Sequence, residues 1–395
     1  MARKPFRTPE SDALPPVDLY EAIGGSAKCR ELSAAFYARV DNDPTLAPLF
    51  PGKTHKCAIE EMSAFLAQFL GGPSKDAQRR WWLSLRESHL RFSIGQKERK
   101  VWVEMMAKTL SDMEMSQTMR SALMELFEES SAYLVNTGPA VAATTCQPET
   151  SDVHTQIRHR WEQQCELDKA VLAVREGDLN RVTALIEGPL LPSWLQQSRS
   201  VFTQFVGVLI GSGHDVMAEY ALQTLWENPD LAHERYSGRT LLHAAAAAGN
   251  LPMVAHLLDL GVDADVQDER GHTPLHSAGN ECGGSGAVVR ALVHGGASVD
   301  ACDGVKRCTA LHMAARRGNV EVAKALVEFA ANIEARDSLG ETPLRRAVNC
   351  GKTAVAAYLL ARGADPLSVG SKGLTPLSAA RSDQMRRLLQ TGIRK

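Results

Sequence analysis

A phrase that returns at a fixed distance constrains this chain more than any other feature. From Gly238 the pattern G-x-T-x-L-x-x-A recurs as GRTLLHAAAAAGN (238–250), GHTPLHSAGN (271–280), RCTALHMAARRGN (307–319), GETPLRRAVNCGK (340–352) and GLTPLSAARS (373–382). The threonines stand at 240, 273, 309, 342 and 375, spacings of 33, 36, 33 and 33. Between them a second apolar phrase ends each time in a Gly-Ala-Asp-like turn, as in VAHLLDLGVDADVQD and VAAYLLARGADPLSV. A unit this small cannot bury its apolar face alone, so such units stack and share one continuous core. Each phrase has helix grammar. Thr caps the start, and Pro274, Pro343 and Pro376 sit in the first turn, where a missing N–H is harmless. Ala244–Ala248 and Ala314–Ala315 allow close helix approach, while Gly249, Gly318 and Gly351 supply a left-handed turn at the helix end.

The period of about 33 residues and the phrase T-P-L-H-x-A resemble the ankyrin repeat. Two fainter copies precede the five: AVLAVREGDLNRVTALIEG (170–188), read as an N-terminal cap, and VGVLIGSGHDVMAEYALQTL (206–225). RSDQMRRLLQTGIRK reads as the polar C-terminal cap. His243, His276 and His312 hold the TPLH position and are expected to order the turn by hydrogen bonds. His272 and His276 have metal-compatible i,i+4 spacing, but the pair straddles a capping turn and is read as repeat grammar. Arg316–Arg317 is read as a solvated helix end. The resemblance implies protein recognition by an unknown partner, with NECGGSGA (280–287) as a candidate contact loop.

Composition bounds the rest. Among 395 residues, 44% are hydrophobic and 23% charged, enough for real cores. Lys+Arg against Asp+Glu is 18 to 19 in residues 1–150 and 26 to 27 beyond, so charge implies neither a nucleic-acid nor an anionic-membrane surface. No apolar run reaches a membrane span, and MARKPFRTPESDALPP does not read as a secretory signal. The eight cysteines are scattered without CxxC spacing. That pattern predicts neither a disulfide framework nor a zinc site, and places the chain in a reducing cytoplasm. Five of six Trp precede residue 200, with Trp81, Trp82 and Trp102 clustered.

The first half reads as short helices without period-two alternation: 18–25, 27–44, 46–50, 57–72, 79–95, 97–113 and 116–136. The expected fold class is therefore all-α: a disordered start (1–16), a helical domain (17–137), a linker (138–158) and the repeats (159–395). His154 and His159, a pair without a third ligand, are read as surface residues.

The signatures LYEAIGG with AFYARVDNDPTLAPLFPG, AFLAQFLGGPS, and LRESHLRFSIGQKERKVWVEMM, in this order, resemble a truncated (2-over-2) hemoglobin, most similar to the group II branch. The resemblance covers about 120 residues, and Gly24–Gly25 and Gly71–Gly72 fall on that family's helix-ending glycines. It implies one heme b held without covalent attachment, with His89 as the axial iron ligand. It also implies Tyr37 and Trp102 as hydrogen-bond donors to a bound diatomic ligand, and Phe50 packed on the heme plane where many group II members have Tyr. Ala58 and Met62 would face the ligand. Phe36, Phe65, Leu66, Phe69, Leu85 and Phe92 would line the porphyrin, although they would equally serve a helical core. Ser88 replaces the usual Arg before the proximal histidine, leaving Arg79, Arg86 or Arg91 to meet a propionate. His55 and Cys57 are candidate sixth ligands, with His55 read as a solvated surface residue at a helix entry. The resulting expectation is a binder of oxygen, and of nitric oxide or carbon monoxide, tethered to a partner protein, more a binding protein than an enzyme. A nitric oxide dioxygenase or peroxidase-like enzyme with an external reductase, or a gas sensor signalling through the repeats, remain alternatives.

Overall fold

The computed structural model describes residues 18–50, 54–73, 83–138, 151–280, 285–370 and 373–393. Among them the chain is all-α, and the one extended pairing is an isolated antiparallel bridge between Tyr236 and Arg239. No described helix is long and apolar enough to cross a membrane. The chain divides into two compact units, residues 1–168 and 169–395. The expected disordered start (1–16), most of the expected linker, Arg79, Trp81, Trp82 and residues 281–284 of the candidate contact loop lie outside the described residues.

The first unit comprises α1 (Leu19–Ile23), α2 (Gly25–Val40), a 3-10 turn (Ala47–Leu49), α3 (Lys56–Phe69), α4 (Leu85–His89), α5 (Gln96–Asp112), α6 (Gln117–Leu134) and the larger part of α7 (Asp152–Glu176). Asp18 caps α1, and Gly24 (φ 104°) turns the chain directly into α2. Gly72 is needed for a close approach, since a Cβ there would stand 2.5 Å from the Tyr20 ring. Phe36, Leu66, Phe69, Met106 and Leu123 form the centre of the core. The core does not stop at α6. Ile157 and Trp161 of α7 belong to it, and Trp161 meets the Tyr133 ring edge-on at 5.7 Å.

This departs from the reading of 138–158 as a linker, because helix begins at Asp152. It also overturns the surface reading of His154. That side chain is buried, with Nδ1 2.7 Å from Ser151 Oγ and Nε2 3.1 Å from Ser121 Oγ. Polar residues around it hid a position that faces α6. His159 is exposed.

In the second unit the end of α7 and α8 (Leu179–Ile186) form the first degenerate hairpin. After the short α9 (Leu191–Gln197), α10 (Arg199–Ile210) and α11 (Asp215–Glu227) form the second. Four regular hairpins follow: α12 (Leu241–Ala248) with α13 (Leu251–Asp259), α14 (Pro274–Asn280) with α15 (Gly286–His294), α16 (Ala310–Arg317) with α17 (Val320–Glu328), and α18 (Pro343–Asn349) with α19 (Thr353–Ala361). The short α20 (Pro376–Ala379) and α21 (Asp383–Ile393) close the array. Gly249, Gly318 and Gly351 adopt φ of 73°, 85° and 67°, the left-handed turn expected of them.

The TPLH histidines weld neighbours together. In His243, His276 and His312, Nδ1 accepts from the backbone N–H of Thr240, Thr273 and Thr309 at 3.3, 3.1 and 3.1 Å. Their Nε2–H groups donate to carbonyls of the next repeat, His272 O at 2.9 Å, Cys308 O at 2.8 Å and Glu341 O at 3.0 Å. Arg345, in the same register, donates to Thr375 O instead. Both nitrogens of each imidazole are thus spent within the fold.

Burial pushes the His243 pKa down to about 4, and lowers those of His276 and His312. The same groups in an unfolded chain take up protons near 6.5. Below that pH the unfolded state binds more protons, so the array loses stability as pH falls from about 6.5 towards about 4. His243 alone should account for about 2 kcal/mol between pH 7 and pH 5. Urea unfolding followed by circular dichroism should give a lower midpoint at pH 5, and His243→Gln should narrow the difference. A midpoint that is flat or rises on acidification contradicts this account.

Candidate functional site

The first unit carries an open cleft of about 500 Å³ beside the 3-10 turn, with Phe50, His55, Ala58, Arg91 and Phe92 in its walls. Aromatic rings continue from it to both ends of the expected site. Tyr37 meets Phe50 edge-on at 5.4 Å, Phe50 meets Phe92 at 5.3 Å, and Phe92 lies 6.1 Å from the His89 ring. On the other side Tyr37 contacts Phe36 at 5.3 Å, and Phe36 contacts Trp102 at 5.2 Å.

His89 ends α4, a single turn capped by Ser84, whose side chain accepts from Glu87 N at 3.1 Å. Its Nδ1 lies 2.8 Å from the Leu85 carbonyl. A carbonyl only accepts, so this contact assigns the proton to Nδ1. Ser88 Oγ also donates to the Leu85 carbonyl at 2.7 Å and stands 2.8 Å from Nδ1. Burial lowers the His89 pKa, partly offset by the Leu85 hydrogen bond, and the nearby Arg91 charge lowers it further. The result is a neutral, half-buried imidazole whose Nε2 lone pair has no partner among the described residues. That is the donor state a transition metal requires of histidine.

Tyr37 and Trp102 bring hydrogen-bond donors. Burial, and then the charge of Glu61, raises the Tyr37 pKa, so its hydroxyl keeps its proton. Neither that hydroxyl nor the Trp102 indole N–H has a hydrogen-bond partner among the described residues. Trp102 is held between Phe36 and Phe127, the latter at 5.6 Å. Arg91 lies exposed at the cleft with its guanidinium 4.7 Å from the Phe92 ring centre, and it makes no ion pair among the described residues. A neutral imidazole, two unclaimed neutral donors, aromatic walls and a rim cation fit a flat anionic macrocycle carrying a metal.

Other expected residues fall elsewhere. Met62, Phe65 and Leu85 are half-buried and pack on the core, whereas Phe36, Leu66 and Phe69 are sealed inside it. Arg86 turns its guanidinium onto the Tyr133 ring at 5.6 Å. Cys57 is exposed at the cleft. His55 is not a solvated surface residue: its side chain is only 8% exposed, stacked on Tyr37 at 5.5 Å, with Nε2 2.6 Å from Asp41 Oδ1. Asp41 lies 14 positions earlier, beyond any local motif. The sequence reading also missed Asp168, whose buried carboxylate accepts from Leu85 N and Arg86 N, both at 3.0 Å.

A family model described as bacterial-like globin matches residues 18–136, and one described as ankyrin repeats (3 copies) matches 170–303 and 281–370. Among individual proteins, the chain is 36% identical over 125 residues to alpha-latrotoxin-Lg1a of Latrodectus geometricus, covering 31% of this chain and 9% of that protein. It is 36% identical over 154 residues to ankyrin repeat and SOCS box protein 16 of Homo sapiens, covering 37% and 34%. It is 33% identical over 164 residues to an L-asparaginase of Dirofilaria immitis, covering 40% and 27%. The chain thus spans well under two thirds of each of these relatives.

Because the Tyr37 hydroxyl makes no internal hydrogen bond among the described residues, Tyr37→Phe should change thermal stability by less than about 1 kcal/mol. A calorimetric loss well above that would mean the hydroxyl is tied into the fold and not free to serve a ligand.

Proposed function

The chain belongs to the ankyrin-repeat proteins and carries a bacterial-like globin domain ahead of them, and on that scaffold we propose a gas-binding heme protein tethered to a protein partner. The domain would hold one heme b non-covalently, with His89 as the residue that would ligate its iron. The observation that carries this reading is the hydrogen bond from His89 Nδ1 to Leu85 O, which leaves a neutral Nε2 without a partner among the described residues, on a ring 6.1 Å from Phe92 in the cleft wall. When bound, heme would supply an iron that His89 would hold and that would bind a diatomic ligand such as oxygen, nitric oxide or carbon monoxide.

The protein's own residues do the rest. Tyr37 keeps its phenolic proton and offers it, with the Trp102 indole N–H, to a ligand carrying partial negative charge. This pair of donors is what supports a group II-like pocket. Phe50 contributes an aromatic wall without a hydroxyl, so one polar contact of that branch is missing. Phe92 in the cleft wall excludes water from the ring face, while Met62 and Phe65 close the core behind it. Arg91, free of an ion pair among the described residues, meets a propionate at the rim. His55 has Nε2 committed to Asp41, which supports a distal side left open to gas. None of the six described cysteines is in a disulfide, in keeping with a reducing cytoplasmic setting. The ankyrin repeats present the surface for the partner.

A UV–visible spectrum of the purified full chain, ferric, ferrous and with carbon monoxide, tests the reading. A Soret band is expected, and His89→Ala should abolish or grossly weaken it. Unchanged heme binding in that variant removes His89 as the ligand. Tyr37→Phe and Trp102→Phe should each speed release of bound oxygen several-fold to about tenfold, the worth of one hydrogen bond of about 1 kcal/mol. Unaltered release rates in both would remove the donor roles.

A further inference from the structure

The hydrogen bonds around α4 form one continuous line that begins outside the matched globin segment. The Leu85–Arg86 peptide presents its carbonyl to His89 Nδ1–H at 2.8 Å and its N–H to Asp168 Oδ2 at 3.0 Å. Asp168 Oδ1 accepts from Leu85 N at 3.0 Å and from Gln164 Nε2 at 2.7 Å. Gln164 Nε2 also reaches Leu83 O at 3.2 Å. Both oxygens of Asp168 therefore accept from N–H donors, the pattern of an ionised carboxylate. The group is 4% exposed, and Leu83 and Ser84, which lead into α4, are 3% and 2% exposed. Asp168 and Gln164 sit one turn apart on α7, beyond residue 136, where the globin match ends.

We infer that Asp168 is the positioning residue for His89, acting through the single Leu85–Arg86 peptide. Two effects follow from the geometry. The first is mechanical. A five-residue helix cannot sustain itself, and Asp168 receives two of its initial N–H groups, so the carboxylate holds in place the turn that aims the imidazole. The second is electronic. A carboxylate on the N–H end of an amide polarises that amide and makes its carbonyl a stronger acceptor, because hydrogen bonds in series reinforce each other. The Leu85 carbonyl then draws more strongly on the Nδ1 proton, and Nε2 becomes a more basic ligand. Metal-bound histidines commonly donate Nδ1–H to a carboxylate or a carbonyl; here the carboxylate acts from one peptide further back. The inference rests on His89 being the heme ligand.

The test uses the full chain with Asp168→Asn, nearly isosteric but uncharged, and Asp168→Ala. In the heme-free protein, hydrogen exchange at the Leu85 and Arg86 amides should accelerate in Asp168→Asn. In the heme-loaded ferrous protein, the iron–imidazole stretch should move to lower frequency in both variants and the midpoint potential should rise. Heme should transfer to an excess of a scavenging apoprotein about tenfold or more faster. Helicity by far-UV circular dichroism should match the wild type in Asp168→Asn, which carries the test if Asp168→Ala does not fold. An unchanged stretch, potential and transfer rate in a folded Asp168→Asn overturns the inference while leaving heme binding intact. A wild-type chain without a Soret band defeats the heme reading itself and this inference with it.

Discussion

What a buried imidazole does depends on how many of its two nitrogens the fold has already claimed. In the repeats, His243, His276 and His312 have both claimed, one by a threonine N–H and one by the next repeat's carbonyl. Such a side chain is a rivet and has no lone pair to offer. His154 is likewise claimed on both sides, by Ser151 and Ser121. His89 differs from these, with Nδ1 engaged by Leu85 and Nε2 left without a partner among the described residues, as is the Nε2 of His256. Its burial holds it neutral, and a neutral imidazole with one free lone pair is chemically a ligand. Hydrogen-bond accounting thus separates the rivets from His89, and the aromatic contact with Phe92 separates His89 from His256, which stacks on Trp226 instead.

The one turn that carries His89 is intrinsically weak. Helix nucleation is costly, and five residues make too few internal bonds to offset it. Position must therefore come from outside the turn. Ser84 caps it locally, and α7 supplies both Asp168 and the apolar residues Ile157 and Trp161 that extend the core. The compact first unit accordingly runs to residue 168, although the matched globin segment ends at 136. Helix α7 serves the first unit through its core contacts and its cap, and its residues 169–176 belong to the second.

The parts legible in the sequence were those written locally. The repeat period, the capping threonines and the glycines of positive φ are short-range devices, so each left a residue pattern that could be read in register. Tyr37, Phe50, Phe92, Trp102 and His89 were named together because spaced helical phrases carry them, and in the fold a chain of aromatic contacts through Phe36 connects their rings. What failed to show was whatever depends on a partner far along the chain. His55 looked solvated because Asp41 and Tyr37, which enclose it, follow no fixed spacing from it. Asp168 was silent for the same reason: it stands 83 and 82 positions from the amides it receives, in a stretch that reads only as polar helix. His154 and the helix start at Asp152 were lost because their burial is created by packing on α6.

The charges around the cleft follow from what a gas-binding heme would ask of them. Diatomic gases are neutral, so the groups nearest them should be neutral donors, and Tyr37 and Trp102 are: burial keeps the phenol protonated, and the indole cannot ionise. A full cation in the same place would have to be desolvated at high cost. The cation is instead at the rim, where Arg91 stays exposed to water, lies across the Phe92 ring and remains available to an anionic edge. The buried charge of Asp168 is tolerated because the N–H groups of Leu85, Arg86 and Gln164 meet it, and it accepts from the helix that holds His89. On the proposed heme reading, neutral donors at Tyr37 and Trp102, a cation at Arg91 and a carboxylate behind α4 would together favour electron donation from the His89 side and hydrogen-bond donation from the Tyr37 side.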